Sequence, residues 1–368
     1  AITTAADGTC TARITGMTGG GGLSHRNLII NGAMNVAQRS PNVAVNIPGG
    51  KTVTDVDRFG QWTKTADANW KSAQQVYDAP ADFQFSRKIT SLAANTIEAG
   101  TYHTVRYAVE GYDAAQLNCG LSSAKTVTLS FYVKSSLTGT FGLNFTNGAN
   151  NRSYPTTYTI SNPNVWERKT ITVTLDTSGT WLKTNGVGLE INWQLAIGSS
   201  YSTSTLNQWQ GNWRFPSSAT DILATNGATW QLTGVQLEVG DTATTFEHRS
   251  HGEELRRCYR YFQRLTSSDN YQWVSLVSFY SGSEIHGFLK HFDTMRAVPT
   301  LSADTGANTF AVQRAGGAVA WSTGIIKNGG DLNITYFYRD GVSLGTSGQC
   351  GRCLTWTAGS TITLSAEL

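Results

Sequence analysis

Charge is scarce in this sequence: 14% of its 368 residues are Asp, Glu, Lys or Arg, and 28 basic against 25 acidic side chains leave a formal net charge of +3. No block of Lys or Arg stands out that could track a phosphate backbone, so nucleic acid is not an expected partner. Long apolar runs are missing too. Nothing approaches the roughly 20 residues that cross a bilayer, so no membrane insertion is expected. The opening AITTAADGTCTARITG lacks the charged start and apolar run of a secretory signal, and an alanine start is what removal of an initiator methionine leaves. The five cysteines, Cys10, Cys119, Cys258, Cys350 and Cys353, are odd in number and mostly isolated. They argue against a disulfide framework and for assembly in a reducing cytoplasm.

Catalytic signatures are equally thin. Neither G-x-G-x-x-G, a Walker loop nor G-x-S-x-G occurs, and the Gly19 to Gly22 run precedes no helical pattern. Cleaving a glycosidic bond needs two carboxylates flanking it. The densest acidic group is Glu238, Asp241, Glu247, Glu253 and Glu254, where Glu253 and Glu254 read as helix-start residues. His248 and His251, and His286 and His291, have no Cys or acidic neighbours at ligand spacing. Cys350-Gly-Arg-Cys353 is a single C-x-x-C pair without a βαβ pattern, read as a β-turn carrying two thiols that could close as a small disulfide. No catalytic residue, cofactor or metal is expected.

What the chain does have is glycine, 38 residues, and aromatic side chains, 11%. That is the profile of an all-β protein with many turns. In Thr126 to Lys134, Val127, Leu129, Phe131 and Val133 alternate with Thr128, Ser130 and Tyr132, which needs a sheet with one buried face. FGLNFTNG, TTYTIS, ERKTITVTL and VGLEINWQLAI add strands, and NLII closes on the turn dipeptide Asn31-Gly32. In TWQLTGVQLEV the alternation slips by one residue at Gly234, the signature of a β-bulge. A helix follows: Leu255, Cys258, Tyr259 and Phe262 recur at helical spacing, and Ser250 with Glu253 has the S-x-x-E pattern of a capping box. A second strand-rich block runs to the C-terminus. The expected architecture is a jelly-roll β-sandwich at 24–250, preceded by an extended glycine-rich arm at 1–23. A linking helix with a smaller C-terminal β-sandwich follows at 251–368.

NLIINGAM, DVDRF, TVTLSFYVKSS, VWERKTITV and the stretch Thr229 to Arg264, with HFDTMRAVPTLS after it, resemble a domain of bacteriophage tail fibre and virion structural proteins. The likeness covers residues 26 to about 264. It implies a jelly roll similar to carbohydrate-binding modules, with NLIINGAM as first strand and VQLEVG as last, and it implies homotrimers. The family's Ala-Thr-Pro-Phe-Glu reads here Ala243-Thr244-Thr245-Phe246-Glu247, without the proline.

LNQWQGNWRF sets Trp209 and Trp213 among Gln208, Gln210, Asn212 and Arg214. Flat rings beside amide and guanidinium donors suit a sugar's apolar face and its hydroxyls; packing under a loop or at a subunit contact is the competing reading. Arg256, Arg257, Arg260 and Arg264 are either a solvated face or partners for a neighbouring chain's acids, and Leu255, Tyr259 and Phe262 are the candidate oligomer contacts. The expectation is a non-enzymatic virion appendage assembled in the host cytoplasm. Its arm would meet other virion proteins, and its loops a host-surface glycan. A purely structural capsid, neck or collar protein and a polysaccharide depolymerase are the alternatives.

Overall fold

A computed structural model describes residues 25–47, 49–53, 55–64, 71–306, 308–314, 317–321, 324–340 and 345–368, and the backbone of 2–4 and 10–12. Most of the N-terminal arm lies outside the described residues. Within it, β1 (Ile2–Thr4) and β2 (Cys10–Ala12) pair antiparallel. The chain divides into two compact units, Ala1–Ser250 and His251–Leu368.

The first unit continues with β3 (Val45–Asn46), β4 (Gly50–Thr52), β5 (Phe59–Lys64), β6 (Lys71–Val76), β7 (Ser86–Ser91) and β8 (Tyr102–Glu110). After the one-turn α1 (Gly111–Ala114) come β9 (Thr126–Ser135), β10 (Gly139–Thr146), β11 (Arg152–Ile160), β12 (Glu167–Thr174) and β13 (Val187–Ile197). The short β14 (Ser202–Thr203), β15 (Gln210–Gly211) and β16 (Phe215–Pro216) precede the long β17 (Thr229–Val239). One sheet runs β15-β11-β10-β13-β8-β5-β4, the other β12-β9-β17-β7-β6-β3. Val127, Leu129, Phe131 and Val133 of one sheet and Leu189, Ile191, Trp193 and Leu195 of the other are fully buried. Phe131 meets Trp193 edge-on at 5.8 Å. Alternating side chains from two facing sheets make this core, the jelly-roll β-sandwich that the strand pattern predicts.

The bulge falls where the alternation slips. Three steps along β17, from Thr233 to Gln236, oppose two along β9, from Tyr132 to Ser130, and Gly234 takes φ +60°. Trp230 and Leu232 before it, and Val235 and Leu237 after it, all reach the core. NLIINGAM differs from its expected form. It forms no ladder strand; residues 26–29 run irregularly and 30–33 turn. Leu28 N donates to Leu237 O at 2.9 Å, and Val235 N to Gly32 O at 3.0 Å. The Asn27 side chain bonds Leu237 N and Val235 O. A side-chain clamp thus replaces the ladder. A Cβ on Gly32 would lie 2.1 Å from Val235 O, so only glycine fits there.

DVDRF is an ion-pair anchor. Arg87 holds Asp55 through Nη2 at 2.7 Å and Nε at 2.9 Å, and donates to Gly60 O and Gln61 Oε1, all without solvent exposure. Removing either partner would strand a buried charge, which costs about 3–5 kcal/mol. Lys71 is buried nearby, 2.7 Å from Thr63 Oγ1 and 2.9 Å from His103 Nδ1.

The second unit opens with α2 (His251–Tyr259), then β18 (Phe262–Thr266), β19 (Trp273–Ser281), β20 (Glu284–Lys290), β21 (Thr300–Ala303) and β22 (Phe310–Arg314). It closes with β23 (Gly317–Trp321), β24 (Ile326–Gly330), β25 (Ile334–Arg339), β26 (Cys350–Thr355) and β27 (Thr361–Ser365). Sheets β18-β27-β21 and β23-β22-β26-β19-β20-β25-β24 enclose a core that includes Phe279, Met295, Phe310, Phe337 and Leu364. In the MRAVPT element, Met295 is fully buried. Arg296 donates to the carbonyls of Ala366 and Glu367 at 2.7 and 2.9 Å, tying down the C-terminal segment. The helix stops at Tyr259, so Phe262 is a strand residue, paired with Ser365 and 4% exposed; it is no oligomer contact. Leu255 and Tyr259 are half-buried, with the Tyr259 ring 5.0 Å from Phe292. Arg256 and Arg257 pair within the chain, with Asp293 at 2.7 Å and Glu253 at 2.9 Å.

Burial, and then the Arg87 charge, pull the Lys71 ammonium from 10.5 down to about 7. Below the ordinary value the unfolded chain takes up a proton that the folded chain accepts only near 7. Stability is therefore lost as pH falls through this range and regained as it rises. Buried Cys119 and Cys353, both pushed up to about 12 from 9.0, act in the opposite sense above their ordinary value. Denaturant titrations should show stability rising from about pH 7 to about pH 8.5, by at most about 1.4 kcal/mol per unit, and Lys71→Met should flatten that slope.

Candidate functional site

The tryptophan-rich segment is a strap across one end of the seven-stranded sheet, and it does not bring its six candidate residues together. Asn212 N bonds Asn151 O at 3.0 Å. Ser153 Oγ bonds Asn212 O at 2.7 Å, and Asn144 Nδ2 bonds Arg214 O at 2.9 Å. Gln210 Nε2 is spent on Thr205 O and the Arg214 guanidinium on Ser200 O. Gln208 is exposed. Trp209 is half-buried, its Nε1 donating to Thr174 O at 2.8 Å and its ring packed on Tyr154 and Trp181 at 5.5 and 5.4 Å. Trp213 is 7% exposed, which corrects its reading as a sugar platform. Tyr102, Tyr201 and Phe215 meet its ring edge-on at 4.7, 5.6 and 4.7 Å.

What Trp213 does is back another tryptophan. Trp62 of β5 lies 4.7 Å from it and 5.5 Å from Tyr102. Its neighbours Gln61 and Thr63 are buried, whereas Trp62 points the other way and stays half-exposed. That parity was readable in GQWTK. Trp62 lines an open groove of about 670 Å³ with Gly50, Thr63, Lys64, Glu98, Gly100, Thr101 and Tyr102. Lys51, opposite Trp62 in the β4–β5 ladder, sets its ammonium 3.9 Å from the indole centroid. Lys64 Nζ bonds the Tyr201 hydroxyl at 2.9 Å. Burial, and secondarily Tyr201, push the Tyr102 phenol up to about 12, so it stays a neutral hydroxyl.

Behind the groove the same sheet face continues as polar side chains. Register aligns Trp62 with Thr104 and Thr104 with Gln194, and the next row holds Arg106, Asn192 and Asn144. Glu190 accepts from Arg106 at 2.5 Å and lies 3.5 Å from Lys51. Burial pushes its carboxyl up, but Arg106 and then Lys51 more than offset this, so it titrates below the usual range. Glu190 Oε2, Asn192 Oδ1 and Gln194 Oε1 are buried acceptors without a hydrogen-bond partner among the described residues. Such a row favours donors.

Of the other acidic and histidine candidates, Glu238, Glu247, His286 and His291 have structural partners. Glu238 accepts from Thr244 N and Oγ1 at 2.9 and 2.7 Å. Glu247 accepts from Asn27 N at 2.8 Å and pairs with Arg249 at 3.5 Å. His291 bonds Leu332 O and Thr335 Oγ1 in the second core, and His286 pairs with Glu284. Cys350 and Cys353 lie in β26 rather than a turn. Three residues apart on a strand puts them on opposite faces, one exposed and one buried, so they cannot join as a disulfide.

No family model and no curated protein matches the sequence. Among solved structures, the chain is similar to the enzymatically active domain of bacteriophage CBA120 tailspike protein 4, at 13% identity over 58% of this chain and 22% of that one, with TM-score 0.31. It is similar to a carbohydrate-binding module, CBM4, at 13% identity over 57% and 98%, TM-score 0.30. It is also similar to the family 11 carbohydrate-binding module of Clostridium thermocellum in complex with a mixed-linked tetrasaccharide, at 11% over 54% and 99%, TM-score 0.28. The chain thus spans about a fifth of the tailspike domain and nearly all of each module. At these scores the likenesses carry no argument about ligand or assembly.

Burial lifts the Cys353 thiol to about 12, whereas Cys350 is open to solvent. A thiol reagent at neutral pH should label Cys350 in the native protein and reach Cys353 only in denaturant. Mass spectrometry of air-oxidised protein should find no Cys350–Cys353 bridge.

Proposed function

We propose that the protein is a non-enzymatic glycan-binding component of a phage particle, a fibre or fibre-like appendage, with the Trp62 groove as its binding site. One observation carries the glycan reading: a half-buried indole, backed by buried Trp213, on a groove rimmed by Lys64, Glu98 and Thr101. An aromatic face beside hydroxyl, ammonium and carboxylate groups supplies stacking for a sugar's C–H surface and partners for its hydroxyls. The open shape suits a chain passing through. Among the described residues the groove lining contains one carboxylate, Glu98, while Glu190 is committed to Arg106 and Lys51. Glycoside hydrolysis asks for two. The virion setting draws its support from the motif resemblance, with the N-terminal arm as the attachment to neighbouring virion proteins and self-association into trimers.

On glycan arrays or in host-cell adsorption, Trp62→Ala should weaken binding by about tenfold or more, while Gln208→Ala and Trp209→Ala leave it near wild type. Undiminished binding by Trp62→Ala would defeat the assignment.

A second reading, a purely structural particle protein, draws on the second unit. Leu276, Phe288 and Tyr336 form one row across its large sheet, exposed at 64, 49 and 50%. Contiguous apolar side chains on an open sheet face mark a contact surface. If that face joins copies, Leu276→Asp with Tyr336→Asp should reduce the sedimenting mass to that of a monomer. Equal sedimentation of variant and wild type would remove this support.

A further inference from the structure

The motif with the strongest family likeness also builds a pocket, on the opposite sheet from the Trp62 groove. It opens at the β17 bulge on the outer face of the six-stranded sheet and measures about 480 Å³. Gly234 and Ser130 lie on the sheet beneath it, with Phe83, Tyr132, Phe246 and His248 as aromatic walls and Asp82 and Arg168 beside them. Phe83 is the hub, 5.5 Å from Tyr132, 5.0 Å from Phe246 and 5.3 Å from His248. The bulge keeps the floor open. A Cβ at Gly234 would come within 2.8 Å of Phe83 Cζ and 2.9 Å of Tyr132 Cδ2.

The polar groups here are unspent. Arg168 gives one N–H to Thr244 O at 2.6 Å, and its other donors make no bond among the described residues. The Asp82 carboxylate, the Tyr132 hydroxyl and the His248 imidazole likewise have no hydrogen-bond partner there. Asp82 is also held at φ +72°, in the left-handed region that favours glycine.

We propose that this pocket is a second binding site, for one neutral sugar ring. The volume is that of a small-ligand pocket. The rings offer apolar faces at several angles, which suits the C–H patches of a pyranose. Around them stand a carboxylate acceptor, a guanidinium donor, and a phenol and an imidazole that both donate and accept, a set matched to several hydroxyls. Asp82 and Arg168 cancel in charge, which disfavours an acidic sugar or a phosphate. The site stands on residues separate from those of the groove. With both filled, one chain would hold two glycan segments on opposite faces, raising its effective affinity for a dense surface.

Ligand-observed saturation-transfer NMR on the full chain tests this, with the methyl glycosides of glucose, galactose and mannose and with N-acetyltyrosinamide, each at about 10 mM to reach millimolar affinities. The background is Trp62→Ala, which disables the groove. At least one methyl glycoside should still give transfer. Adding Asp82→Ala or Arg168→Ala should cut it about tenfold, since each removes a charged hydrogen-bond partner. Both residues are exposed, and matching thermal melts would show the fold intact; Tyr132→Phe serves as the alternative if either variant melts early. The proposal is overturned by absence of transfer from all three glycosides. It is equally overturned by transfer that persists in the added variants, or by transfer from N-acetyltyrosinamide alone, which would make the pocket a peptide site.

Discussion

One extra residue in β17 decides how the first unit closes. The strand pairs with β7 through its first half and with β9 along most of its length, so it sits between two others and must bury one full face. A strict alternation would turn Val235 and Leu237 away from the core, onto the polar outer face that holds Gln236 and Glu238. The bulge at Gly234 re-phases the strand so that both halves feed one core. It also frees the backbone of Val235 to receive the Gly32 turn, which carries residues 27–34 into the core. The same glycine leaves a floor without a side chain, around which Phe83, Tyr132 and Phe246 gather. Closure of the sandwich and the shape of the second pocket therefore share one cause.

Buried charge is the second constraint. Arg87 and Asp55 are fully enclosed and bidentate, and Lys71, His103 and Thr63 form a polar group beside them. Burying such groups is expensive, and hydrophobic replacements of similar volume are often at least as stable. The arrangement fixes β5, β6, β7 and the 55–61 segment in one register. It thereby places Trp62, whose neighbours Gln61 and Thr63 both belong to the network, with its ring on the groove side.

Much of this was legible in the sequence, and the rest for definable reasons was not. β9, β10, β12, β13 and β17 read clearly because β-branched, aromatic and aliphatic residues alternate with polar ones along each, even though β13 and β17 are buried on both faces, and the phase slip at Gly234 located the bulge. The 27–32 segment did not read correctly, since Asn27 side-chain bonds replace the ladder that NLII alone suggests. β26 was hidden by glycine, arginine and two cysteines, residues that carry little strand preference. Phe262 extends the helical spacing of Leu255 and Tyr259 by chance of periodicity, yet Ser365 claims it for a sheet. Trp213 looked like a surface ring because its own segment is polar. Its burial comes from Trp62 and Tyr102, far away in sequence, and no local pattern announces that.

The central claim is that this is a glycan binder whose sites are on the first unit. Hydrogen–deuterium exchange of the full chain, with and without purified host surface polysaccharide, addresses it most directly. The account predicts slowed exchange in residues 59–64 and 98–104 around Trp62, with residues 82–84 and 130–134 following at higher polysaccharide concentration. Exchange unchanged throughout the first unit, or slowed only in the strands of the second, would contradict it.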